Sequence, residues 1–407
     1  MQNFSKFLGA RLSNFPLIIL IILVIYNSLF IKKMVPKRTF IFFASVFLYA
    51  LILGLMPILM IYNDLFYADF LYRTLFVTMM IIATKIFIMC YVVKNYKTEY
   101  NRYIIVAYFF TWIGYITCDV IKFDFAGFFH ASIDPLMDRA RGFSPEPSAF
   151  GTTAMILGLL SSWVQKRNFQ KVSFLVLTFV LVILSSSKGA IAIMMIITYL
   201  MALKSKFNVW LKVLITILAF VGLVYIWDNF IIYLIGIGDE NLYSTMSFTT
   251  RSSAMLTAII VIKEFPLGMG PSAAYGIEFI KHIPDVYDFL GEVIGGHGLD
   301  ALEISAMVHH NITDTSANIS SKSGFFNNVM YFGLPFLLYF FYSVYKVQRL
   351  LYEKNERILW SLFLFIVFAI IFYTDVNYDS IFGISIALAY YYKYEPSALC
   401  FKWISKR

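Results

Sequence analysis

Residues 172–203 read VSFLVLTFVLVILSSSKGAIAIMMIITYLMAL. Two apolar runs flank the polar break SSSKG at 185–189, and Lys188 is the sole charged residue in the stretch. One continuous helix of this length would overshoot a hydrocarbon core of ~30 Å, because each residue adds ~1.5 Å. The break therefore predicts a tight helical hairpin whose tip touches a membrane interface, with Lys188 at the turn. A re-entrant pair is the alternative, since irregular backbone is tolerated where it lines a wet cavity.

The rest of the chain follows this pattern. Of its 407 residues 60% are hydrophobic and 14% charged, against roughly 25% charged in an average soluble domain. Apolar runs long enough to cross a bilayer fall at 15–31, 39–62, 74–93, 103–123, 149–165, 172–184, 190–203, 209–228, 325–345, 358–374 and 380–392. The expected fold is an all-α polytopic membrane protein of about 11 helices (range about 10–12). No basic leader with a cleavage site stands out at the N-terminus, so the first run is expected to stay as a helix.

Charge orients these helices. The connections 32–38, 94–102, 166–171, 204–212, 346–357 and 393–407 hold 21 Lys and Arg against four acidic residues, whereas the alternate connections are acidic. Excess Lys and Arg mark the cytoplasmic side. The N-terminus is thus expected outside and the C-terminus inside, and the net charge of +9 answers to the membrane, not to nucleic acid. Cys90, Cys118 and Cys400 avoid the outer loops, so no extracellular disulfide framework is expected.

Three regions follow: 1–228, eight helices with an outer loop at 124–148; 229–324, a large extracytoplasmic loop; and 325–407, three helices and a cytoplasmic tail. The inner connections are short and lack a glycine-rich phosphate loop, which argues against an ATP-driven pump built from this chain alone. Long loops in compact proteins are usually functional or disordered. The large outer loop reads as folded, with amphipathic stretches at Arg251–Glu264 and Tyr287–His309 broken by PLGMGP (266–271) and Gly295–Gly296. Chemistry is expected on the outer face.

Four groups of residues could carry it. In RARGFSPEPSAFG (139–151), Arg139 and Arg141 precede a turn, and Glu146, Pro147 and Ser148 open a helix. The bland reading is a capped helix entry with solvated arginines. The functional one is a pair of guanidinium groups holding a diphosphate, whose oxygens their planar donors match. In TTRSSAMLTAIIVIKEF (249–265), Thr249 or Thr250 is expected to cap a helix with Arg251 in its first turn. A phosphate bound there would be favoured by both the guanidinium and the helix end. Lys85 falls mid-span, and Asp119 and Lys122 are expected to pair one turn apart. All five histidines (His130, His282, His297, His309, His310) fall in outer loops. His309 or His310 is a candidate general base; zinc with Asp300 and Glu303 matches no strong ligand spacing, and a solvated loop histidine is the plainer reading for the set.

RGFSPEPSAFG, LSSSKGAIAI, RSSAMLTAIIVIKEFPLGMGPS and SGFFNNVMYFGLPFLLYFF occur in this order. Together they resemble the landmarks of Wzy-type polysaccharide polymerases, in the superfamily that includes the O-antigen ligases. The resemblance covers roughly 139–345. It implies a fold similar to the GT-C membrane glycosyltransferases and a reaction joining oligosaccharides carried on undecaprenyl diphosphate, with neither metal nor other cofactor. The implied setting is the outer face of the bacterial plasma membrane and the product a capsular polysaccharide, exopolysaccharide or lipopolysaccharide O-antigen, with a chain-length regulator as a candidate partner. By position, Arg251 would hold the donor diphosphate, Arg139, Arg141 and Lys188 would assist or hold the acceptor, and Glu146 would shape the entry. Many relatives place a histidine just before the helix starting near Phe325. This chain has SSKSGFFNN there, with Lys322 and Ser323 as the polar candidates instead, so the base stays unassigned. An O-antigen ligase and a lipid-linked oligosaccharide flippase or other transporter are the alternatives; the large outer loop favours an enzyme.

Overall fold

The computed structural model describes chiefly residues 97–123, 140–144, 147–204, 242–270, 274–294 and 323–372, with short pieces at 48–56 and 209–217. The expected spans 15–31, 74–93 and 380–392 lie outside the described residues, as do Arg139, Glu146, His309, His310, Lys322 and the side chain of Lys188. The described residues are helical and contain no strand.

Helix α1 spans Lys97–Gly114 and runs into a π-helical segment, Tyr115–Val120. Then follow α2 (Pro147–Val164), α3 (Asn168–Leu184) and α4 (Lys188–Lys204). The stretch expected as a large loop supplies α5 (Leu242–Glu264) and α6 (Ala274–Ile294), and the chain continues with α7 (Gly324–Glu353) and α8 (Arg357–Phe372). Among the described residues, Asn101–Val120 and Gly324–Glu353 are long and apolar enough to cross a membrane, and four shorter apolar helices accompany them.

The packing is that of a helical bundle with apolar residues on its outside. Helix α8 is buried on nearly all sides, from Leu359 to Ala369, as expected of a helix at the centre of a bundle. It packs on α2, α4 and α7, while α2 also carries α1 and α3. By contrast, Phe169, Val172, Val176, Phe179 and Ile183 are exposed along one face of α3, at helical spacing. Contiguous apolar surface of that kind is rare on monomers in water. It is consistent with a helical membrane protein.

Small residues let the helices close up. Gly151, Ala154, Gly158 and Ser161 repeat along α2 at spacings of three and four, the pattern that allows close backbone approach between membrane helices. A side chain at Gly158 would overlap Thr178 of α3, and one at Gly151 would lie 2.6 Å from Ser185 Oγ. The hairpin expected over 172–203 is present, with Ser185 capping the end of α3 and Lys188 opening α4. Its arms part company, however: α3 packs chiefly along α2, and α4 chiefly along α8.

Two expectations are corrected. The helix carrying Arg251 begins at Leu242, so Arg251 lies mid-helix, not in a first turn capped by Thr249 or Thr250. The second amphipathic stretch starts earlier than Tyr287, since its helix runs over Ala274–Ile294; residues 295–309 lie outside the described residues.

A third departure is a break inside the expected span 325–345. Gly333 leaves the helix with φ 62° and ψ −152°, backbone torsions open to glycine almost alone. Pro335, two residues on, has no N–H to give the Tyr331 carbonyl. The PLGMGP loop repairs the gap. Met269 N–H donates to the Met330 carbonyl (2.9 Å), Gly270 N–H to the Tyr331 carbonyl (2.9 Å), and Leu334 N–H to the Pro266 carbonyl (2.8 Å). The Tyr49 hydroxyl completes the seam by donating to the Leu267 carbonyl at 2.8 Å. An interruption inside an apolar helix is tolerated when other protein groups satisfy the freed backbone; here one loop does so.

Candidate functional site

The turn carrying Arg141 is held by main-chain bonds. Asp119, on the π-helical segment, accepts Gly142 N–H at 2.8 Å and Arg141 N–H at 3.1 Å to Oδ1 and 3.2 Å to Oδ2. Successive N–H groups of this kind form a concavity suited to anions, and the protein fills it with its own carboxylate. Asp119 is thus not the partner of Lys122. At Lys122 the backbone has left the helix with φ 54°, so the one-turn spacing no longer brings the two side chains together.

Gly142 is at φ 52°, and a side chain there would come within 2.7 Å of the Phe150 ring. A side chain at Gly114 would meet Phe143 at 2.8 Å. The turn is therefore wedged between the end of α1 and the start of α2. Ala140 N–H donates to the Leu184 carbonyl at 3.3 Å, which fastens the same turn to the end of α3. Lys188 opens α4 four residues beyond that carbonyl. Two of the basic positions singled out in the sequence, Arg141 and Lys188, thus belong to one end of the bundle.

The opposite end gathers different residues. The Ser162 hydroxyl donates to the Lys171 carbonyl at 3.0 Å, and Trp163 Nε1 donates to Glu356 at 3.3 Å. This is the end of the basic connections at 166–171 and 346–357.

Ser323 is fully buried. Its hydroxyl donates toward the Ile371 carbonyl (2.6 Å) and the Ile370 carbonyl (3.1 Å), and accepts the Phe326 N–H (3.3 Å). It caps α7 and ties that helix to the end of α8. Burial and these bonds make it a joint between the two helices.

Arg251 is half-buried on α5. The buried face of this helix, Ser253, Ala254, Thr257, Ala258 and Val261, packs with Phe279, Ile283 and Tyr287 of α6 and Met330 of α7. Arg251 is therefore placed by a core of its own. Extensive contacts join α5 to α6 and α7, with none of that extent to α2, α3 or α4 among the described residues.

A further cluster lies where α5 ends. His282 Nε2 is 3.1 Å from Glu264 Oε2 and 3.9 Å from Glu278 Oε2, and Lys281 Nζ is 3.2 Å from Glu278 Oε2. The sequence shows Glu278 and His282 four apart on one helix face, but Glu264 joins them through tertiary packing alone. Likewise, nothing local in the sequence pairs Asp119 with residues 141–142 across a loop.

Comparison with known proteins gives one informative similarity. The chain is 26% identical over 290 residues to an uncharacterized 49.5 kDa protein in the cps region of Klebsiella pneumoniae. The alignment covers 69% of this chain and 62% of that protein. No family model matches the chain, and no solved structure matches it.

Proposed function

We propose that this chain is a polysaccharide polymerase that joins repeat units carried on undecaprenyl diphosphate at the outer face of the bacterial plasma membrane. The observation that carries the reading is the relative from a capsule region, aligned over 69% of this chain. It points to capsule polysaccharide synthesis. The order of the four sequence landmarks narrows that role to polymerisation, and the fixed turn at Arg141 suits a cationic site.

In the proposed reaction a hydroxyl of the acceptor glycan attacks the anomeric carbon of the donor. The bond from that carbon to the diphosphate oxygen breaks, undecaprenyl diphosphate departs with the electron pair, and the hydroxyl proton passes to a base. The leaving group is already a diphosphate, so the protein has to neutralise developing charge and orient the hydroxyl. Arg251 is assigned to the donor diphosphate. Arg139, Arg141 and Lys188 assist or hold the acceptor, Glu146 shapes the entry, and Lys322 and Ser323 are assigned to substrate binding. His309 and His310 are the candidate bases. Ser323 contributes by fixing the start of α7.

The test is the surface glycan profile of the host strain with this chain deleted, resolved by size. Single repeat units at the surface without a polymer ladder support the polymerase. Finished polymer stranded on its lipid carrier would mean a ligase, and repeat units confined to the cytoplasmic leaflet a flippase.

A further inference from the structure

We propose that Glu264, Glu278 and His282 form a divalent metal site that fastens the end of α5 to α6. One ligand atom from each residue lies within 4.8 Å of the others. In a tetrahedral zinc site, bonds of about 2.0–2.2 Å place ligand atoms roughly 3.3–3.5 Å apart. The 3.1 Å and 3.9 Å separations about His282 Nε2 bracket that value, and modest rotation of the glutamate side chains closes the third edge. One imidazole and two carboxylates suit zinc and its neighbours among the divalent transition metals.

The backbone prepares this geometry. Phe279 and Ile283 follow Glu278 and His282 by one residue each, and both are fully buried against the α5 residues Ala258 and Val261. The packed face of α6 therefore sets where its two ligands stand. Glu264 is the last residue of α5, where a carboxylate faces the negative end of the helix dipole and a neighbouring cation is favoured. The following loop is pinned to α7 through Met269 and Gly270. Lys281 Nζ also reaches Glu278, 3.2 Å from Oε2. The ion would be structural, and the proposal stands apart from the glycosyl-transfer reading.

The test is zinc titration by calorimetry on the full chain in nanodiscs, after chelator treatment, with wild type, Glu264→Gln and His282→Ala. The expected result is a saturable site of one zinc per chain that raises the thermal unfolding midpoint. Each variant should weaken that site by at least ~10-fold. Glu264→Gln keeps the side-chain shape, so a loss of zinc binding with unchanged helical content is not a folding failure. Absence of saturable binding by wild type overturns the proposal. So does binding by both variants as tight as that of wild type, which would place the zinc elsewhere, for instance on the other histidines. An unfolding midpoint that responds to pH and not to zinc would reduce the cluster to a His–Glu ion pair and likewise overturn it.

Discussion

The carboxylate of Asp119 grips the main chain of Arg141, not its side chain, with both oxygens within 3.2 Å of the Arg141 nitrogen. Backbone placement and side-chain chemistry are thereby separable at this turn. Hydrogen bonds to charged groups are worth about 1.5–3 kcal/mol each, and removing the acceptor strands two N–H groups. Asp119→Ala should lower the thermal unfolding midpoint in detergent and reduce polymer output together. Asp119→Asn, which keeps one acceptor oxygen, should fall between. Arg141→Ala preserves every bond in the clamp, so it should cut polymer output while the midpoint stays near wild type. A midpoint for Arg141→Ala as low as that of Asp119→Ala would show that the turn is held by the arginine side chain instead.

The close contact between α2 and α3 supports a stability prediction independent of function. A side chain at Gly158 would overlap Thr178, whose hydroxyl donates to the Phe174 carbonyl at 2.6 Å and lies 3.2 Å from the Tyr108 hydroxyl. Gly158→Ala should destabilise the fold by about 1–3 kcal/mol through overpacking. Thr178→Gly should relieve part of that cost, giving a double variant more stable than the sum of the single changes predicts. Additive losses would mean that α2 and α3 separate freely at this point.

The break at Gly333 supports a sharper one. Its positive φ and its approach to the Pro266 carbonyl leave no room for a side chain. Gly333→Ala combines backbone strain of about 1–3 kcal/mol with a clash, so it should lower the unfolding midpoint more than Gly158→Ala. It should also loosen the PLGMGP loop, seen as faster amide exchange at Met269 and Gly270. Unchanged exchange there would show that the loop does not depend on the break.

Much of this arrangement was legible in the sequence. The expected runs 103–123, 149–165, 172–184, 190–203 and 358–374 each coincide with a helix, because uninterrupted apolar length is a local property. What escaped was tertiary. The start of α5 at Leu242 lies in LYSTMSF, where mixed polarity hides a helix that its partners stabilise. The break in α7 was hidden because GLP (333–335) lies inside an otherwise apolar run. Its repair comes from residues more than sixty positions upstream. The sequence pairs Asp119 with Lys122 through the one-turn rule, the local partner rule a helix offers. A π-helical segment and a turn out of the helix defeated that rule. Arg251 was legible as a residue but not in its setting.

That setting changes what Arg251 predicts. A cation in a first helical turn would owe part of any phosphate affinity to the helix end, whereas a mid-helix arginine must supply it through the guanidinium. Arg251→Ala is conservative for the helix, since alanine is its best former, and the packed face Ser253, Ala254, Thr257, Ala258 and Val261 is untouched. The variant should therefore insert and fold normally yet yield single repeat units instead of a polymer ladder. Arg251→Lys keeps the charge but loses the planar two-point donor geometry. It should restore only part of the ladder, with shorter chains. Full activity in Arg251→Ala, with normal protein level and unfolding midpoint, would remove Arg251 from the diphosphate site. Full rescue by lysine would mean that charge alone, not a forked contact, holds the donor.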